Sequence, residues 1–195
     1  MKCLYSLFTV AILCFPFLSQ SQQMVLNDPV SNSYFSSTKY AGIKGSPFLF
    51  EDLKKGEVTT EKGIYKNLEL KFDIYENALY FKNKDQMLAF ADKITGFEII
   101  SENVAHKFRN GFNSKLFKPE TFVEVLVEQN DFLLVKSTVI NITEINEINA
   151  GLIKTFKQTD RYLVKTPGSD DFKMVKLNAK ELESIFPEKA KAIQN

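Results

Sequence analysis

The stretch Ile64-Tyr-Lys-Asn-Leu-Glu-Leu-Lys-Phe-Asp-Ile-Tyr75 decides the fold class. Ile64, Leu68, Leu70, Phe72 and Ile74 share one parity. Tyr65, Asn67, Glu69, Lys71, Asp73 and Tyr75 share the other. Side chains along a strand alternate between faces, so this stretch predicts one strand with a buried and a wet face. Glu76-Asn77 can turn the chain, and Ala78 to Lys82 then runs back as its partner.

The same pattern extends on both sides. Upstream, Gly45-Ser-Pro47 opens the folded body, Phe48 to Phe50 is a short apolar segment, and Lys54-Lys-Gly56 reads as a turn. Glu57 to Thr60 reads as a strand, with Glu61-Lys-Gly63 as the hairpin turn into the central strand. Downstream, Asn83-Lys-Asp85 turns again, and Met87–Ala91 and Gly96–Ile100 are further strands. Val104, His106 and Phe108 alternate with Lys107 and Arg109. Asn110-Gly111 then signals a hairpin whose return strand is Phe112–Phe117. Thr121–Val127 and Phe132–Val139 form a second hairpin, with arms apolar enough to be covered on both faces. Ile142–Gly151 reads equally as a strand extension or a helical turn. Arg161–Lys165 and Phe172–Lys176 flank Pro167-Gly-Ser-Asp170 in a third hairpin.

The period changes at the end. Asn178 as N-cap with Glu181 three residues on, and Leu177 paired with Leu182, predict a helix over 178–186, closed by Pro187. The fold class is therefore mainly β: antiparallel hairpins forming a sandwich, an open barrel or a layered sheet, with a C-terminal helix.

Residues 1–21 read as a signal peptide. Lys2 precedes an apolar run from Cys3 to Leu18, and Ser19-Gln-Ser21 offers small residues for cleavage before Gln22. Residues 22–46, rich in Ser, Asn and Gln, read as an extended N-terminal arm that Tyr34, Phe35 and Tyr40 can pin to the body. Residues 47–195 then form one β-rich domain. Both cysteines, Cys3 and Cys14, fall in the signal, so the processed chain relies on its core and not on disulfides. The signal holds one of the 25 basic residues and none of the 24 acidic ones, which leaves 24 of each sign. Balanced charge without a basic stripe argues against nucleic acid as a partner. No second apolar run is long enough to span a bilayer once the signal is removed. The expected location is the periplasm or the extracellular space.

Chemistry is bounded mainly by what is missing. A cysteine-free processed chain excludes thiol catalysis and thiolate metal sites. The single histidine, His106, excludes His-rich metal centres, and its parity with Val104 and Phe108 points inward. No phosphate-binding glycine loop occurs, and no cofactor or metal is expected. A pair of carboxylates about 5–10 Å apart is all that a glycosidase needs, so a carboxylate-only hydrolase stays open. The 18 Phe and 7 Tyr, without Trp, suit either a plain core or a carrier for an apolar ligand inside a barrel. Tyr65, Lys71, Asp73 and Tyr75 on the wet face of the central strand are the candidate binding residues, exposed tyrosines being good recognition groups. Asn141-Ile-Thr143 matches a glycosylation sequon.

Gly45-Ser-Pro-Phe-Leu49, Gly56-x-Val58, and Gly63-x-Tyr65-x-Asn67-Leu68-x-Leu70-Lys-Phe-Asp73 resemble a group of uncharacterised exported bacterial proteins. Phe122-x-Glu124-Val-Leu126 and Leu133-Leu-Val-Lys136 are similar to the same group's second hairpin. The resemblance implies export, a β-rich body and a helical C-terminal segment, and it carries no activity. The leading expectation is an exported, non-enzymatic module that binds a protein or envelope component through a sheet face or edge.

Overall fold

The computed structural model describes residues 25–26, 34–36, 38–147 and 151–185. The signal segment 1–21, part of the 22–46 arm and the Pro187 stop lie outside them. In chain order the elements are β1 (Val25–Leu26), β2 (Ile43–Lys44), β3 (Lys54–Thr60), β4 (Ile64–Asp73), β5 (Ala78–Asn83), β6 (Gln86–Ala89), β7 (Ile94–Ser101), β8 (Val104–Arg109), β9 (Val123–Gln129), β10 (Phe132–Glu147), β11 (Gly151–Lys165), β12 (Lys173–Val175) and the helix α1 (Ala179–Ile185).

The chain is mainly β, and all twelve strands join one open mixed sheet. Ten follow the order β12-β11-β10-β9-β8-β7-β3-β4-β5-β6 through antiparallel pairs. The other two add parallel partners from the N-terminal segment, β1 on Ile64–Tyr65 of β4 and β2 on Lys154–Thr155 of β11.

β4 does not keep the simple alternation that its sequence predicts. Gly56 of β3 faces Leu68, but Val58 faces Tyr65, so Glu57 alone opposes Lys66 and Asn67. This is a β-bulge, and Asn67 supplies the left-handed conformation it needs (φ 57°). One extra residue reverses parity. Leu70 and Phe72 point into the core as expected, and beyond the bulge Tyr65 joins their face, 5% exposed. The wet-face assignment is therefore corrected for Tyr65, and also for Asp73, which is fully buried.

The main core lies on one face of β3, β4, β5, β7 and β8. Phe72, Phe97, Phe108 and Phe122 pack ring on ring, with centroids 4.7–6.0 Å apart. Ile140 of β10 and Phe156 of β11 reach back onto this cluster, so the long β10–β11 ribbon curls over the body. A second cluster, Val123, Leu133, Val135, Leu163 and Phe172, sits under Phe112 and Phe117.

That second cluster explains two corrections. Asn110-Gly111 makes no hairpin, and Phe112–Phe117 is no strand. The Asn110 side chain donates to the Ile94 carbonyl (3.0 Å), the Gly111 amide donates to Pro119, and residues 110–122 loop out to cover Val123 and Val135. The tight turns instead use Glu102-Asn103 and Asn130-Asp131, each pair at positive φ as a two-residue hairpin requires. Lys54-Lys-Gly56 is likewise no turn; it opens β3. The ambiguous 142–151 stretch resolves as strand through Glu147. Leu126 and Val127, expected to be covered, are 40% and 41% exposed, because β9 leaves β8 after Glu124. The predicted N-cap is present: Asn178 Oδ1 accepts from the Glu181 amide at 2.9 Å.

Gly56 is the narrowest point of the sheet. A Cβ there would stand 2.1 Å from the Glu98 carbonyl oxygen and 2.7 Å from Leu70 Cδ1. The first is backbone and cannot step aside. Gly56→Ala should therefore cost about 3 kcal/mol in urea unfolding, the upper end of ordinary overpacking. A loss below about 0.5 kcal/mol would mean that β3 and β7 are not so close.

Candidate functional site

The four candidate binding residues do not share an open face. Tyr65 turns inward and donates its hydroxyl to Asp92 Oδ2 at 2.9 Å. Asp92 also meets Lys62 Nζ at 2.5 Å, and Lys62 with Tyr65 holds its carboxyl below the usual range. Lys71 lies 4.3 Å over the Phe48 ring and donates to the Glu51 carbonyl, so it fastens residues 48–51 to β4. Tyr75 is 40% exposed and sets its ring edge-on against Tyr40 and Phe156.

Asp73 carries the most unusual chemistry of the four. It accepts a hydrogen bond from the Tyr40 hydroxyl and another from the Glu76 amide (3.0 Å). Burial pushes its carboxyl pKa up, against the opposing pull of those two donors. Tyr40 is shifted up by burial and by the Asp73 carboxylate, and Tyr80 by burial. Lys39, paired with Glu76 at 2.5 Å, places the nearest cation. Three of these groups, Lys39, Tyr40 and Phe35, come from the N-terminal segment; Phe35 stacks edge-on with Phe48 and Tyr80. With no exposed surface, Asp73 offers a substrate no contact.

A second charged cluster bridges β8, β9 and β10. Glu124, 5% exposed, meets His106 Nδ1 at 2.6 Å through Oε1. Lys136 Nζ lies 2.5 Å from its Oε2, a charge contact without hydrogen-bond alignment. His106 is part-buried and hydrogen-bonded, while Val104 of the same parity is exposed. A cleft of about 430 Å³ opens beside it, lined by Phe50, Lys54 and Ser101 among others. No hydrogen bond joins Ser101 to His106 among the described residues, so a carboxylate–histidine pair is present without an engaged nucleophile. A larger cleft of about 640 Å³ contains Arg109, but Glu128 holds that guanidinium with both oxygens (2.7 and 2.9 Å). Among the described residues no three acidic or histidine side chains gather to hold a metal ion. No helix among them is long and apolar enough to cross a membrane.

What remains open is backbone. β10 pairs with β11 to Glu147 but with β9 only to Lys136. The outer edge of Ser137–Glu147 therefore has no strand beside it among the described residues. Ser137 and Ile140 are buried against the body; from Asn141 the ribbon emerges, with Ile145 50% and Leu152 67% exposed. Asn141, the sequon residue, is exposed on it. Compared with known proteins, the chain matches no family model, no curated protein and no solved structure.

Two outcomes test the Asp73 site. Tyr40→Phe leaves the buried carboxylate short of a donor and should lower stability by about 1–3 kcal/mol. The native pKa of Asp73 lies above its unfolded value, so the folded chain keeps a proton that the unfolded chain releases. Stability should then fall as pH rises from about 4 through the raised native pKa. Urea titrations at successive pH values should show that slope flattened in Asp73→Asn; an unchanged slope would assign the proton elsewhere.

Proposed function

We propose that this chain is an exported, non-enzymatic binding module of the cell envelope. It takes up a strand from a protein partner along the outer edge of Asn141–Glu147. The apolar run before Ser19 and the small residues at Ser19 and Ser21 support export. The observation that carries the binding reading is the uncapped length of β10. An unpaired row of N–H and C=O groups is a template for strand addition, and the exposed Ile145 and Leu152 add apolar contact beside it. Of the two most buried carboxylates, Asp73 is enclosed and Glu124 is held by His106 and Lys136, so neither is free to act on a substrate.

The test uses the alternation of a strand, in which successive N–H groups point to opposite sides. Of Asn141→Pro and Ile142→Pro, one removes an N–H that bonds β11 and the other an N–H on the open edge. The second should keep the wild-type circular dichroism spectrum and lose a partner that the wild type retains from envelope extract. If the folded proline variant retains the same partner, the edge is not the binding site.

A further inference from the structure

The free edge has a sign. Between Ser137 and Glu147 the sequence holds two glutamates, Glu144 and Glu147, and no lysine or arginine, in a chain that is otherwise balanced. The cations facing this span sit on the far strand: Lys154 opposite Glu144, Lys157 opposite Asn141 and Arg161 opposite Ser137, all on β11. Lys154 Nζ is 4.0 Å from Glu144 Oε1, and both side chains are more than half exposed. Such a pair leaves the carboxylate free to meet a second cation from the open side.

Register sharpens the picture. Ile142, Glu144 and Asn146 share one face of the ribbon with Phe156, Lys154 and Leu152; Thr143 and Ile145 share the other with Thr155 and Ile153. A strand laid against β10 sets one side chain directly opposite Glu144 and apolar or β-branched side chains opposite Ile142 and Ile145. Opposite charges in such a pair attract, and like charges repel. Resting on the strand-addition reading above, we infer that the partner strand is basic, presenting lysine or arginine to Glu144 and β-branched residues to Ile142 and Ile145. A second copy of this chain suits the edge less well, since it would bring one acidic edge against another.

The experiment uses two fluorescein-labelled nine-residue peptides of valine and threonine with lysine or glutamate at the central position alone, titrated with the processed protein. Fluorescence anisotropy should show the lysine peptide binding about tenfold more tightly. The gap should shrink as salt is raised past the range where surface charges are screened. Glu144→Gln should narrow it and Glu144→Lys should reverse it. Equal binding of both peptides, lost in the folded proline variant, would overturn the charge inference and leave strand addition standing. If neither peptide binds at any salt concentration, strand addition itself fails. Binding that survives in the proline variant would place the peptide off the edge and overturn the inference. So would a concentration-dependent dimer in sedimentation velocity that the proline variant abolishes, because a second copy would then occupy the edge.

Discussion

Tyr40 donates its hydroxyl to a carboxylate that has no contact with water. Asp73 ends β4 on the face away from the phenylalanine core, and an isolated carboxylate there would cost several kcal/mol. The Tyr40 hydroxyl and the Glu76 amide offset that cost. Because one donor lies on the N-terminal segment, residues 38–48 must be in place before β4 can be buried on both faces. The same residues reach the ribbon. Tyr40 sets its ring edge-on to Phe156, β2 pairs with Lys154–Thr155, and a Cβ on Gly45 would stand 3.5 Å from the Phe156 carbonyl oxygen. One buried hydrogen bond thus links the central strand, the arm and the base of the β10–β11 ribbon.

Much of the strand content was legible, because burial on one face leaves a period of two in the sequence. Failures came where a local signal met a longer-range demand. Asn110-Gly111 has the chemistry of a tight turn, yet the cluster around Val135 needs a cover, and Phe112 and Phe117 supply it. Glu102-Asn103 turns the chain without a glycine, because Asn103 tolerates positive φ and the flanking β7–β8 pairing holds Glu102 there. Asn67 was the one available hint of the bulge: an asparagine inside a strand pattern, where a left-handed residue is needed. Counting it as an ordinary position placed Tyr65 on the wrong face.

The candidate site was less legible for a different reason. Asp73 looks solvent-facing from its neighbours, and nothing within the strand reveals that Tyr40, 33 residues upstream, lies over it. Glu124 looks like one more polar residue in a hairpin, although His106 and Lys136 close on it from two other strands. An open edge has no residue signature at all. It follows from which strands stop short, and β9 stops pairing with β10 at Lys136.

Other edges of this sheet are capped or open over fewer residues, as at Val125–Gln129 of β9. At one end of the sheet, Tyr34 bridges to Leu88 and the Phe35 amide bonds the Met87 carbonyl, so β6 is capped. At the other end β12 is only three residues long and begins with a lysine. β1 and β2 cover short stretches of β4 and β11. These are the usual protections against unwanted sheet growth: short strands, edge charge and a covering segment. Of these, Ser137–Glu147 has only edge charge, from Glu144 and Glu147, among the described residues. It is eleven residues long and β-branched at Thr138, Val139, Ile140, Ile142, Thr143 and Ile145, with no proline, glycine or lysine. The sheet thus shields its ends with borrowed strands and leaves its longest strand without a neighbour past Lys136 among the described residues.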